Sequence, residues 1–253
     1  MKTCNKFKYI FLLLCFVCLF IFNSGCGLDV FYVMPAPITI VHTPSYDSSD
    51  FSERYFSFFT NENVTSNSGF SFKGTDIYYR IFDSSSQMNS EVSSLVSLSN
   101  NESTSNTAAS KMIETYNFNK LRISGCYDEP LIPYTGENKQ IYVRLSDYQS
   151  IELYSARILE GGENGTYVNS STTKTIPVRN VNRTSFNFGR SGSNDKAPAQ
   201  GDDDVDYTSG PTNHKWYVAM FAVAVGYDYT YTNYYSNILY LGAVTIDASA
   251  TDN

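Results

Sequence analysis

Residues 216–226 read Trp-Tyr-Val-Ala-Met-Phe-Ala-Val-Ala-Val-Gly, without a charged side chain among them. The stretch is rich in β-branched and aromatic residues and ends at a glycine, which marks a strand. Successive side chains of a strand point to opposite faces. A strand that is apolar at odd and even positions alike must therefore be buried on both faces. It has to run through the middle of a sheet, with its outer face covered as well as its inner one. The rest of the chain must supply both the neighbouring strands and the cover.

The chain has the material for this. Its 253 residues include 21 Tyr and 17 Phe, and Ser, Thr, Asn and Gly are plentiful, a composition of strands joined by turns. In order, strands are expected at Ile38 to Thr43, Arg54 to Thr60, Thr75 to Asp83, Leu121 to Ser124, Gln140 to Leu145 and Ile151 to Leu159. Thr175 to Val181 and Thr184 to Phe188 suggest a hairpin. Ser236 to Ile246 is the closing strand, after an aromatic turn at Tyr227 to Tyr235. In Thr75 to Asp83, Ile77, Tyr79 and Ile81 fall on one face and Tyr78, Arg80 and Phe82 on the other. The aromatic alternation in Arg54 to Thr60 is broken, which predicts a bulge or two covered faces.

Composition shifts from Ser84 to Ser110, where Ser and Asn dominate, within a segment at about 84–120. Val92, Leu95 and Val96 have helical spacing over a short turn, and Asn100 to Thr107 reads as a mobile loop. Asn106 is placed to cap a helix through Tyr116 whose stripe is Ala109, Met112, Ile113 and Tyr116. The segment is expected to be an insertion that packs one amphipathic helix on the sheet. A second long loop is expected at 189–211. The fold expected is mainly β, an elaborated antiparallel β-sandwich with a small helical insertion, spanning 38–246 and ending in a frayed tail at 247–253.

The last two strands resemble the F–G end of a fibronectin type III domain. Tyr217, Val218, Ala222-Val223, Gly226 and Ser236 carry the likeness, and Thr75 to Asp83 is similar to the Tyr-rich C strand of that fold. The resemblance implies that the Pro-flanked strand from Ile38 is strand A. The Trp usual in the second strand is absent here, and the middle of the chain is longer than such a domain needs.

The N-terminus has a different character. Lys2, Lys6 and Lys8 precede an uncharged apolar run from Tyr9 to Phe22, then Asn23-Ser24-Gly25-Cys26-Gly27. Positive start, apolar run and small residues are the layout of an export signal. The run is shorter than the roughly 20 residues of a spanning helix. Small residues abutting a cysteine resemble the lipobox of bacterial lipoproteins. Asn23 stands where that box has an aliphatic residue, a relaxed form similar to spirochaete lipoproteins. The resemblance implies removal of 1–25, a diacylglycerol on Cys26 and a linker at 26–37, stiffened by Pro35 and Pro37. One acyl chain holds a protein marginally, at ~0.8 kcal/mol per buried CH₂, and two or three hold it durably. The head would then sit at a bacterial envelope, at the outer membrane, facing either the surface or the periplasm.

Three of the 18 basic residues lie in that leader and none of the 25 acidic ones, so the remainder is more acidic than the whole chain's −7. An acidic head is a poor partner for nucleic acid. Outside the leader only Cys26 and Cys126 remain, and a lipidated Cys26 leaves Cys126 without a disulfide partner, as a small buried hydrophobe.

Two clusters carry candidate chemistry. Asp202, Asp204 and Asp206 have the D-x-D-x-D spacing that opens a Ca²⁺ loop, although Tyr207 and Asn213 stand where an EF-hand has Gly and Glu. The alternative is a solvated acidic loop. Tyr227, Tyr229, Tyr231, Tyr234 and Tyr235 offer aromatic faces for a sugar ring or a peptide, or else pair across a hairpin. No G-x-S-x-G, H-E-x-x-H, P-loop or G-x-G-x-x-G occurs, and His42 and His214 do not nominate a base. The function expected is a non-enzymatic binding or adhesion module for a protein or glycan partner, with a monomeric head. The alternatives are a periplasmic assembly lipoprotein and a lipid-anchored hydrolase with a spatially formed carboxylate pair.

Overall fold

The computed structural model describes residues 34–64, 69–123, 130–145, 156–168, 176–179, 188, 198–212 and 215–247, all within the unit Val33–Asn253. The leader with Cys26, and Cys126, His214 and the tail 248–253, lie outside the described residues, as do 151–155, 180–187 and 189–197.

The first half contains β1 (Ile38–His42), β2 (Phe56–Phe59), β3 (Phe70–Phe82), the helices α1 (Ser85–Asn100) and α2 (Ala108–Glu114), then β4 (Asn119–Lys120) and β5 (Arg122–Ile123). The second half contains β6 (Ile132–Pro133), β7 (Gln140–Arg144), β8 (Arg157–Glu160), β9 (Thr166–Tyr167), β10 (Pro177–Val178) and β11 (Val205–Asp206). It ends with β12 (Lys215–Asp228), β13 (Asn233–Tyr235) and β14 (Leu239–Asp247). The fold is mainly β, with antiparallel sheets and two short helices.

Among the described residues, one sheet has the order β1-β2-β7-β8-β9. The larger sheet is built on β12, which pairs with β3 along nearly its whole length, from Tyr217↔Phe82 to Asp228↔Phe70. On its other side β12 pairs with β14 and then, beyond Ala222, with β13. The outer side of β3 is occupied in turn by β6, β4 and β11. Both long strands are thus interior, as the unbroken apolar run at 216–226 requires. The β11–β3 pairing is parallel, an exception to the antiparallel rule elsewhere in the sheet. The turn and most of the second strand of the hairpin expected at Thr175 to Val181 and Thr184 to Phe188 lie outside the described residues; in the described part, β10 pairs with β5.

Each face of β12 has its own core. Trp216, Val218, Met220 and Ala222 join Ile77, Tyr79 and Ile81 of β3, and with them Phe56, Phe58, Ile141, Val143 and Ile158 of the other sheet. One apolar core therefore draws on both sheets. Ala219, Phe221 and Val223 face the opposite way, onto Met88, Val92 and Leu95 of α1 and Ala108, Ala109 and Met112 of α2. The cover demanded by the sequence is this helical layer. Each large side chain so buried contributes about 1.5–3 kcal/mol.

The helical segment is more extensive than its pattern suggests. The short turn expected at Val92 to Val96 is part of a 16-residue helix capped by Ser84, whose Oγ accepts from the N–H of Gln87. Its exposed face is Ser- and Asn-rich, so little amphipathic contrast survives in the sequence. The expected loop at 100–107 is a hydrogen-bonded turn: Asn101 Oδ1 accepts from the N–H and hydroxyl of Ser103, at 3.0 and 2.7 Å. α2 begins at Ala108, later than an Asn106 cap predicts, and Thr107 caps it without a side-chain bond.

Two irregularities interrupt the strand ladders. β1 pairs with β2 through two register shifts whose extra residues, Thr39 and Val41, lie on β1, and Thr39 takes a φ of +50°. β2 itself, in the stretch where a bulge or two covered faces are expected, pairs with β7 without a shift and buries Phe56, Ser57 and Phe58 in succession. Between Val225 and Gly226 the β12–β3 register also shifts, so that Lys73 is an extra residue on β3. Gly74 beside it has a φ of +147°, and a Cβ there would lie 2.1 Å from the carbonyl oxygen of Ile132, so only glycine fits.

Candidate binding surface

The aromatic turn is the reversal from β12 to β13. Its geometry is set by Asp228, the last residue of β12. Asp228 Oδ1 accepts from the N–H of Thr230 at 2.8 Å, the Thr230 hydroxyl at 2.6 Å and the N–H of Thr232 at 3.1 Å. Oδ2 accepts from the Tyr234 hydroxyl at 3.3 Å. These donors, the Thr230 hydroxyl first, hold its carboxyl below the usual carboxylate range. The backbone closes the same turn through Tyr231 N–H to Asp228 O, at 3.0 Å. An Asp locking its own turn in this way fixes a loop that would otherwise fluctuate.

The five tyrosines do not act together. The register Val225↔Tyr235 and Gly226↔Tyr234 sends the last two to opposite faces. Tyr235 packs against the helical-layer core, and Tyr234 meets Phe70 edge-on with centroids 6.2 Å apart. Tyr227 lies beside Tyr231, with centroids 5.4 Å apart. Tyr229 and Tyr231 are left at the tip, 78% and 79% exposed. Tyr231 moreover has a φ of +62°. A bulky residue in the left-handed region costs of order 1–3 kcal/mol, and such strain collects at recognition and catalytic sites. Hairpin pairing accounts for Tyr234 and Tyr235; it does not account for the tip.

Lys73, which no sequence pattern singles out, belongs to this surface. The bulge at Val225/Gly226 brings its Nζ to 4.2 Å from the centroid of the Tyr227 ring. It forms no salt bridge among the described residues. The local signal for that bulge is Gly74, since an isolated glycine inside a strand pattern marks one.

The acidic cluster has a different environment. Asp204 is fully buried; its Oδ2 accepts from the Tyr79 hydroxyl at 2.6 Å and from Arg179 Nε at 2.7 Å, and its Oδ1 from Arg179 Nη2. Asp202 Oδ2 accepts from the same Nη2 at 2.9 Å. Asp206 lies in β11 and pairs with Arg80 Nη2 at 3.0 Å. The three carboxylates that the spacing offers to calcium are thus divided between two guanidinium groups. Among the described residues no three acidic, His or Cys side chains converge on one point. Burial alone would lower the affinity of Arg179 for its proton, and the hydrogen bonds and charge of Asp204, with the hydrogen bond to Asp202, outweigh it and raise the guanidinium above the ordinary arginine range.

Other buried carboxylates serve the frame. Asp83 Oδ2 accepts from the successive N–H groups of Thr208, Ser209 and Gly210, at 2.7, 2.8 and 2.8 Å. Those bonds hold its carboxyl below its usual value in spite of burial. Burial pushes Asp76 up, against the pull of Lys120 Nζ at 2.9 Å. Glu91 and Asp206 both contact Arg80, and burial raises Glu91. His42 Nε2 lies 2.9 Å from Glu53 O, and its ring stacks on Tyr55.

Comparison of the chain with protein-family models, curated proteins and solved structures finds no match.

Proposed function

We propose that the chain is a lipid-anchored protein of a bacterial cell envelope, of the spirochaete lipoprotein type. In this reading a lipid on Cys26 holds an elaborated fibronectin type III-like β-sandwich that binds a protein or glycan partner and catalyses nothing. Three features support the sandwich. One core joins the two sheets. The strands likened to C, F and G lie side by side as β3, β12 and β14, with β12 between the others. The strand likened to A pairs with the next one in the opposite sheet, as in an A-B edge. One detail departs from that order: β8, outside β7, follows it in sequence, where the corresponding edge strand D precedes E.

The observation that carries the binding reading is the tip: two tyrosines almost wholly in solvent, one in a strained backbone, on a loop locked by a buried aspartate. Tyr supplies a large amphipathic contact at a low entropy cost. Full-length protein should bind at least one member of a broad array of matrix proteins and glycans. The double variant Tyr229→Ala/Tyr231→Ala should lose that binding at least tenfold while its thermal midpoint moves by less than about 2 °C, since exposed sites cost little stability. Tyr231→Gly is the sharper control. It removes the strained conformation, so stability should hold or rise by up to about 1 kcal/mol while binding falls. Undiminished binding in both variants would sink the reading.

The anchor has its own test. Cells fed a clickable fatty acid should label the wild-type chain and leave Cys26→Ser unlabelled, and only the wild type should partition into the detergent phase. Equal labelling of the two would remove Cys26 as the lipid site.

A further inference from the structure

We infer that the partner of the tip is an oligosaccharide bearing a single acidic sugar, its pyranose face on Tyr229 or Tyr231 and its acidic group at Lys73. The inference rests on the proposed binding role of the tip and narrows it to one ligand class. Both tyrosines stand out from the turn, at 78% and 79% exposure. Rings presented this openly suit a flat partner laid against them, as the CH face of a sugar ring does, more than a side chain that must be enclosed. The phenols offer polar contacts of the kind that sugar hydroxyls exchange.

Charge narrows the class further. Asp228, the carboxylate nearest the tip, is taken up by donors of its own loop. Lys73 sits 4.2 Å above the Tyr227 ring, which in turn lies beside Tyr231, and it has no ion-pair partner among the described residues. A half-buried ammonium over an aromatic face, one ring away from the stacking surface, is placed to receive one anionic group. The chain as a whole carries −7 and becomes more acidic without its leader. That field repels a polyanion while leaving a single short-range pair intact. One cation within an acidic head therefore selects a sparsely charged glycan over a densely sulfated one.

The test uses full-length protein in detergent on immobilised glycans of three kinds: oligosaccharides ending in one carboxylated sugar, the same chains with that sugar removed, and heparin. Binding to the first should exceed binding to the second at least fivefold, with heparin no better than the neutral chains at physiological salt. Lys73→Gln should abolish the preference of acidic over neutral chains, and circular dichroism should report an unchanged fold. Equal binding of acidic and neutral chains, a preference for heparin, or a preference that survives Lys73→Gln overturns the inference. So does capture of a protein partner alone; if Tyr229→Ala/Tyr231→Ala abolishes that capture, the tip remains a binding surface and only the glycan is lost. Glycan binding that survives the double tyrosine variant counts against the tip itself.

Discussion

Asp204→Ala should destabilise the protein by about 3–5 kcal/mol, the cost of breaking a buried ion pair from one side. The carboxylate is wholly buried and satisfies Tyr79 and two nitrogens of Arg179. Its removal leaves a guanidinium in the interior with Asp202 as its remaining carboxylate among the described residues, and takes an acceptor from the Tyr79 phenol. Arg179 has no slack to absorb this, because its Nη1 is already buried without a hydrogen-bond partner among the described residues. The measurement is a urea unfolding curve, read as a shift in midpoint at constant slope. A loss below about 1 kcal/mol would mean that water or a rearranged side chain replaces the carboxylate. The pair variant Arg179→Met/Asp204→Leu provides the other arm. Buried ion pairs replaced together by apolar groups are often neutral or better, so the double variant should recover most of the stability lost by the single one.

Phe221→Ala should cost a similar amount, about 3–5 kcal/mol, for a different reason. Phe221 is fully buried between β12 and the helices. Its ring meets Phe118 edge-on at 5.3 Å and Tyr240 at 5.0 Å. Truncation loses the transfer energy of the ring and leaves a cavity under α1 and α2 that two helices tied by short turns cannot collapse into. The experiment tracks the unfolding midpoint together with helical circular dichroism. Both should fall in one transition. Helical signal lost well before the sheet would show that the outer layer is a separate cooperative unit, and a loss below about 1 kcal/mol would mean that it is not packed on the sheet at all.

The two expected losses also mark where the sequence speaks and where it is silent. The doubly apolar run at 216–226 announces an interior strand with both faces covered, because burial on two faces leaves no position for a polar residue. The alternation in 75–83 likewise assigns Ile77, Tyr79 and Ile81 to one core and Tyr78 and Phe82 to the other, as observed. α1 is legible only as a turn, since Ser and Asn on its exposed side dilute the pattern that Met88, Val92 and Leu95 carry. The parallel β11–β3 pairing has no signature in two residues. The D-x-D-x-D spacing fails to forecast its surroundings because the partner of Asp202 and Asp204 is Arg179, distant in sequence, while Asp206 has entered a strand and found Arg80. Tyrosine content points to the 227–235 turn. Which tyrosines stay in solvent is decided by register, which is not written in the local residues; the bulge that positions Lys73 is marked there only by Gly74.

The pairing of β3 with β12 sets residue 81 against residue 218, and every hydrogen bond between these two central strands joins parts of the chain about as far apart. A ribosome that has released β3 and both helices has produced a sheet without its middle strand. Both cores then lack a wall, since β12 supplies one side of each. Contacts of such long range close late and slowly. The head therefore stays open until β12 has been made, and the chain up to that point is delivered unfolded to whatever receives it first. For a chain that must thread a narrow translocation pore, that delay keeps it competent to pass. Its order of assembly and its proposed destination thus make the same demand on the sequence.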